Sequence, residues 1–188
     1  MFPDRHPLRC HRAGTATADN GPEISSGGGG SSSPETAWLD LPADPSAVWD
    51  ARHCVRDALA GWGLASMADD AALIVSELVT NAIDATAALA PGGHVTLLIA
   101  EDHGRVFLLV WDPSPLPPAP CPADHDALAG RGLQIVSELS GLWGYAGGGY
   151  GKVVWSLLWP DPRALIGDAT VASAATRTHL DKLSKTLE

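Results

Sequence analysis

Positive charge is scarce in this 188-residue chain, where 12 Lys and Arg stand against 22 Asp and Glu for a net charge of −10. Non-specific contact with a phosphate backbone needs clustered bases, so direct nucleic-acid binding is excluded. One small nucleotide held by local dipoles is not. Cysteine is scarce as well. Cys10, Cys54 and Cys121 form an odd, scattered set that fits neither a disulfide framework nor a metal-ligand spacing, which predicts a reduced chain. Long hydrophobic runs are missing: stretches such as 106–111 fall far short of the roughly 18 residues that span a bilayer. The opening MFPDRHPLRC offers no apolar segment for a secretory signal. Together these absences predict a soluble, cytoplasmic protein with no membrane partner.

What is present is enough for one core. The chain is 45% hydrophobic and 18% charged, and a domain of this size hides roughly two-thirds of its unfolded surface. Residues 1–37 contain Gly27–Gly30, Ser31–Ser33 and Pro34 with almost no large apolar side chains. Ordering them costs entropy without burial in return, and a disordered N-terminal tail is expected. Residues 160–188 open on Pro-Asp-Pro and continue through small and polar residues as a C-terminal tail. The domain between, 38–159, keeps all seven tryptophans and carries 14 acids against five bases, Arg52, Arg56, Arg105, Arg131 and Lys152.

Within 38–159 both periods alternate. Asp44-Pro45 has the form of a helix cap followed by proline at the first helical position, with a helix to about Ala60. A second helix is expected from about Asp69 to Leu89. Residues 94–100 and 105–111 read as a hairpin turning at Asp102-His103-Gly104. A proline-rich loop leads to a third helix from about Gly132 to Trp143, and a last strand follows at about Lys152–Trp159. Helices mixed with antiparallel strands indicate an α+β fold, a two-layer α/β sandwich with a mixed, mostly antiparallel sheet.

Three places carry chemistry. On the second helix Val75, Leu78, Val79, Ala82 and Ala71 share one face, and Glu77, Asn81 and Asp84 project as neighbours from the other. An ordinary solvated side is one reading of that polar face. However, the helix has no Lys or Arg to pair with the acids. A carboxylate one turn from an amide oxygen also suits Mg²⁺, which takes few protein oxygens, and Glu77 is placed to act on a hydroxyl nucleophile. Next, Asp112 ends a strand on the same face as Val106, Leu108 and Val110. A carboxylate at the edge of an apolar pocket is costly unless something donates to it, and the exocyclic amine of adenine is such a donor. An exposed Asp-Pro turn opener is the alternative. Last, Gly130-Arg131-Gly132-Leu133 leads into the periodic Leu133, Ile135, Val136 and Leu139, placing backbone N–H groups at a helix start that suits phosphate. Arg131 lies inside that turn, and Lys152 follows a second glycine cluster. No Walker-type Gly-Lys-Ser/Thr loop is present.

Taken in order, these segments resemble the gyrase, heat-shock chaperone, histidine kinase and mismatch-repair ATPase superfamily. The stretch 77–85, ELVTNAIDA, is similar to its N box, Asp112 to the aspartate of its first glycine box, and Gly130-Arg-Gly-Leu to its second. ELVTNA, GRGLQIV and the closing WG and GKVVW most resemble the anti-sigma factor/serine-protein kinase branch in its common actinobacterial form. The resemblance implies a Bergerat-type sandwich binding ATP and Mg²⁺. Asn81 would ligate the metal, Glu77 would be the catalytic base or positioning residue, and Asp84 would lie at the nucleotide site. Asp112 would read the adenine amine, while Gly130 to Gly132 would hold phosphates with help from Arg131 or Lys152, and Leu133 would be among the cofactor-binding residues. It also implies a sigma factor and an antagonist protein as partners, the antagonist being phosphorylated on serine or threonine. A catalytically inactive binding module is the competing expectation. The apolar second sheet face, with Leu98, Phe107, Leu109 and Trp111, is expected to be an interface, covered by a homodimer partner, a sigma factor or the chain's own tail. A sensor histidine kinase fits poorly, since residues 1–37 cannot supply phospho-accepting helices.

Two departures stand out. The usual Asp-x-Gly-x-Gly is here Asp112-Pro-Ser-Pro-Leu-Pro, a stiffer loop with fewer N–H donors that allows weaker nucleotide affinity. Where many members have a threonine in the last strand, this chain has Lys152-Val153-Val154.

Overall fold

The structure, a computed structural model, describes residues 11–13, 35–118 and 131–160. Alternating burial builds its sheet. In β2 (Glu35–Pro42), Ala37, Leu39 and Leu41 turn inward while Trp38 and Asp40 do not, the period-2 signature of a strand with one covered face. β3 (His94–Asp102) and β4 (Arg105–Asp112) form the expected hairpin, extended by a residue or two. His103 and Gly104 at its tip both have positive φ, 53° and 76°, the turn geometry whose twist matches that of the flanking strands. With β1 (His11–Ala13), β5 (Leu142–Gly148) and β6 (Gly151–Leu158), the six strands lie in the order β1-β2-β3-β4-β6-β5.

Helices α1 (Ala47–Gly61), α2 (Ala68–Ala87) and α3 (Gly132–Leu139) complete the α+β sandwich. One face of the sheet and the inner faces of the helices share a core in which Leu41, Val55, Leu59, Ile74, Leu78, Leu97 and Leu108 are fully buried. Each such side chain contributes about 1.5–3 kcal/mol relative to exposure. As expected, Ala71, Val75, Leu78, Val79 and Ala82 form the buried side of α2. On the other sheet face Ala100, Phe107, Leu109 and Leu157 form a second buried cluster, flanked by partly buried Leu98, Val153, Trp155 and Trp159. Phe107 and Leu109 are covered within a single chain, while Leu98 and Trp111 are partly buried.

Several expectations change. Every strand pairing among the described residues is antiparallel, so the sheet there is not mixed. Residues 11–13 and 35–37, expected in a disordered tail, belong to strands; the other residues of 1–37 lie outside the description, as do 161–188 of the second tail. α1 starts later than its capping signal suggested. Asp44 accepts from the backbone N–H of Ser46 at 2.9 Å and from the Ser46 hydroxyl, closing a turn that places Pro45 ahead of the helix. The third helix ends at Leu139, and residues 142–148 are strand. The Ser140 hydroxyl meets that of Ser156 at 2.7 Å, pinning the end of α3 to β6. Cys54 is buried on α1, and Cys10 and Cys121 lie outside the described residues. Among the described residues no helix is long and apolar enough to cross a membrane.

Candidate functional site

The register of β4 with β6 builds the centre of the site. Asp112 stands directly opposite Lys152, and period-2 alternation sends both toward the helix layer, on the side of Val110 and Val154. Lys152 Nζ donates to Asp112 Oδ1 at 2.9 Å. Asp112 is fully buried and Lys152 is 5% exposed. The same Oδ1 accepts the backbone N–H of Ser114 at 2.9 Å. Oδ2 is buried with no hydrogen-bond partner among the described residues. Burial strips water from the carboxylate and raises the Asp112 pKa above the ordinary aspartate range, an effect that exceeds the lowering by Lys152 and Ser114.

The close approach of the strands depends on a glycine. Gly151 has φ +134°, and a Cβ there would collide with the Asp112 carbonyl oxygen and stand 3.0 Å from Pro113 Cα. Beyond Asp112, prolines 113, 115, 117 and 118 have no N–H to give. The two N–H groups left in that stretch are both engaged inside the loop: Ser114 donates to Asp112, and Leu116 donates to the Ser114 hydroxyl at 3.4 Å. The loop is therefore stiff and offers a ligand no backbone donor over 113–118, as its composition suggested.

Asp112 and Lys152 open onto a cavity of about 320 Å³ between α2, β6 and the proline-rich loop, at the small end of ligand pockets. Leu78, Ala82, Ala85, Ala88 and Val154 give it apolar walls, and Asn81 and Asp84 stand at its edge. Four predicted residues (Asn81, Asp84, Asp112 and Lys152) are thus brought to one cavity. Lys152, expected as an alternative to Arg131 for helping to hold phosphate, lies beside Asp112. Glu77 lies farther along α2, roughly 10 Å from Asp84 at 1.5 Å per residue. It sits against the first turn of α3, where a Cβ on Gly132 would be 2.6 Å from Glu77 Oε2. Arg131 occupies the N-cap position of α3 and is exposed, and Leu133 is buried in the first turn. None of Glu77, Arg131, Gly132 and Leu133 lines the cavity. Gly130 lies outside the described residues.

The arrangement thus has two ends joined by α2: an apolar cavity with an acceptor for an amine, and a helix start with a carboxylate beside it. Sequence reasoning missed Ser114, whose N–H orients the aspartate; the Asp-x-Ser turn was its signal. It also missed the opposition of Asp112 and Lys152, visible only once the strands are paired.

Comparison with curated proteins gave no match. Comparison with protein families matches residues 41–156 to the histidine kinase-like ATPase domain. That span takes in α1 to β5, the last two residues of β2 and most of β6, with every described residue of the site. ATP binding is the property that such a domain implies. The match covers more than half of the chain, and this chain belongs to the histidine kinase-like ATPase domains.

Proposed function

We propose that the chain is an ATP-dependent serine/threonine protein kinase of the anti-sigma type, which sequesters a sigma factor and phosphorylates the antagonist that competes for it. The observation that supports this reading most is the buried Asp112 Oδ2, without a partner among the described residues, at the wall of an apolar cavity. An acceptor in that setting is costly unless a ligand donates to it, and an exocyclic amine on a flat ring fits both the acceptor and the walls. ATP, when bound, supplies the γ-phosphoryl group, with Mg²⁺ offsetting its charge. Asn81 is the residue to hold the metal through its amide oxygen, with Asp84 beside it on the cavity edge. Gly132 and Arg131 hold phosphate at the positive end of α3. Glu77, against Gly132, is placed to orient or deprotonate the incoming hydroxyl. Transfer of this kind relies mainly on positioning and charge neutralisation, which a domain of this size can supply.

One observation favours a second reading, an inactive binding module with the same fold. Both N–H groups of residues 113–118 are used internally, so this described part of the proline-rich loop has no backbone donor left for a phosphate. Phosphoryl transfer separates the two readings. Incubation of the chain and its co-purified partner with γ-labelled Mg-ATP is expected to label a serine or threonine of the partner. Glu77→Ala is expected to slow labelling by roughly a hundredfold or more. Nucleotide binding without any labelling supports the module; labelling unaffected by Glu77→Ala contradicts the role given to that residue.

Acidity provides a further check. Only the ionised Asp112 pairs with Lys152 and offers two acceptor oxygens, and its folded pKa is raised by burial. Nucleotide affinity is therefore expected to fall as the pH drops through a value above that of an ordinary aspartate, and Asp112→Asn should flatten this step. Affinity that holds constant until the ordinary aspartate range would show that Asp112 does not contact the ligand.

A further inference from the structure

We propose that Lys152 is a base-reading residue: with Asp112 it forms a paired donor and acceptor that recognises the amine-bearing edge of adenine, the ammonium donating to ring nitrogen N1 beside the amine. The inference rests on the nucleotide reading above and deepens it. A buried ammonium needs more than one partner, because its desolvation is offset only when its remaining protons are also hydrogen-bonded. Lys152 has three donors, and its hydrogen bond among the described residues is the single one to Asp112 Oδ1. Asp112 shows the complementary shortage, with Oδ1 taken by Lys152 and Ser114 and Oδ2 buried without a partner among the described residues. Both side chains reach the same cavity, between the apolar walls of Leu78, Ala82 and Val154. The pair therefore presents an acceptor and a donor side by side in an apolar slot, each with valence to spare.

Adenine carries the matching order, a donor amine at C6 and an acceptor at N1 on adjacent ring positions. Guanine placed the same way offers a carbonyl oxygen to the carboxylate and an N–H to the ammonium, a mismatch at both points. Leaving such groups unpaired in a buried site is how hydrogen-bonding pockets reject analogues. A purely structural ion pair would hold β4 to β6 and be indifferent to the atom at ring position 1.

Calorimetric titration with ADP, 1-deaza-ADP, 7-deaza-ADP and GDP tests the assignment. In the wild-type protein, replacing N1 by C–H is expected to weaken binding roughly ten- to hundredfold, the range for a hydrogen bond to a charged group. 7-deaza-ADP should bind like ADP, and GDP should be weaker than 1-deaza-ADP. The double variant Asp112→Asn/Lys152→Met removes both charges together, so no lone buried ion threatens the fold, and its amide oxygen still accepts from the amine. There the ratio of ADP to 1-deaza-ADP affinity is expected to approach one. Equal wild-type affinities for ADP and 1-deaza-ADP, an undiminished ratio in the double variant, or a preference for GDP each overturn the role of Lys152 while leaving nucleotide binding intact. Failure of every nucleotide to bind overturns the nucleotide reading and this inference with it.

Discussion

Gly151→Ala is expected to destabilise the domain by about 3–5 kcal/mol, combining strain from a sparsely populated backbone region with overpacking. Its φ of +134° is one that L side chains rarely adopt, and the added methyl would meet the Asp112 carbonyl oxygen and Pro113 Cα, backbone atoms that cannot swing aside. Relief requires β6 to back away from the end of β4, which parts Lys152 from Asp112. Since domains of this kind are stable by only about 5–15 kcal/mol, the variant should show a large drop in denaturant midpoint. Its nucleotide affinity should suffer even where it stays folded. Gly148→Ala, where an added Cβ meets nothing within 4 Å, is the control and should be nearly silent. Comparable midpoints for the two variants would mean that the β4–β6 junction is not held as described.

Lys152→Met should cost about 3–5 kcal/mol at neutral pH, because breaking a buried pair from one side leaves an uncompensated charge. The cost should depend on pH in a defined direction. Without the ammonium the folded pKa of Asp112 climbs further above that of the unfolded chain. A group raised in this way contributes stability that is present below its unfolded pKa and lost as the pH rises through the folded value. The deficit of the variant against wild type is therefore smallest in acid and grows on the way to neutrality. Replacing the pair by apolar side chains, Asp112→Leu/Lys152→Met, should recover most of the loss while abolishing nucleotide binding. Thermal melts of the single and double variants across pH check this; a deficit independent of pH would mean that Asp112 does not carry the charge.

The parts of the fold that could be read from the chain are those where one period runs uninterrupted. The buried stripe of α2 and the β3–β4 hairpin are visible because each side chain is inward or outward by its own spacing. β5 was not visible: six of its seven residues beyond Leu142 are Trp143-Gly-Tyr-Ala-Gly-Gly, an edge strand with no buried position, so it lacks the alternation that marks a strand. The helical spacing of Leu133, Val136 and Leu139 ran on toward it. In β2 the alternation of Ala37, Leu39 and Leu41 was present, but the Gly/Ser run before it drew the boundary too late. The site divides the same way. Asn81, Asp84 and Asp112 follow from position within an element. The partner of Asp112 is a matter of register between strands 40 residues apart, and a count along the chain assigns Lys152 to a glycine turn rather than to the opposing aspartate.

Calorimetry of Mg-ATP binding to the wild-type protein and to Asp112→Asn and Asn81→Ala tests the central claim, that the cavity between α2 and the sheet is the nucleotide site. Saturable binding is expected for wild type. Asp112→Asn should weaken it by roughly tenfold or more, given the usual worth of a hydrogen bond to a charged group, and Asn81→Ala should remove its dependence on Mg²⁺. Wild-type affinity with an unaltered magnesium requirement in both variants would place any nucleotide elsewhere and contradict the account.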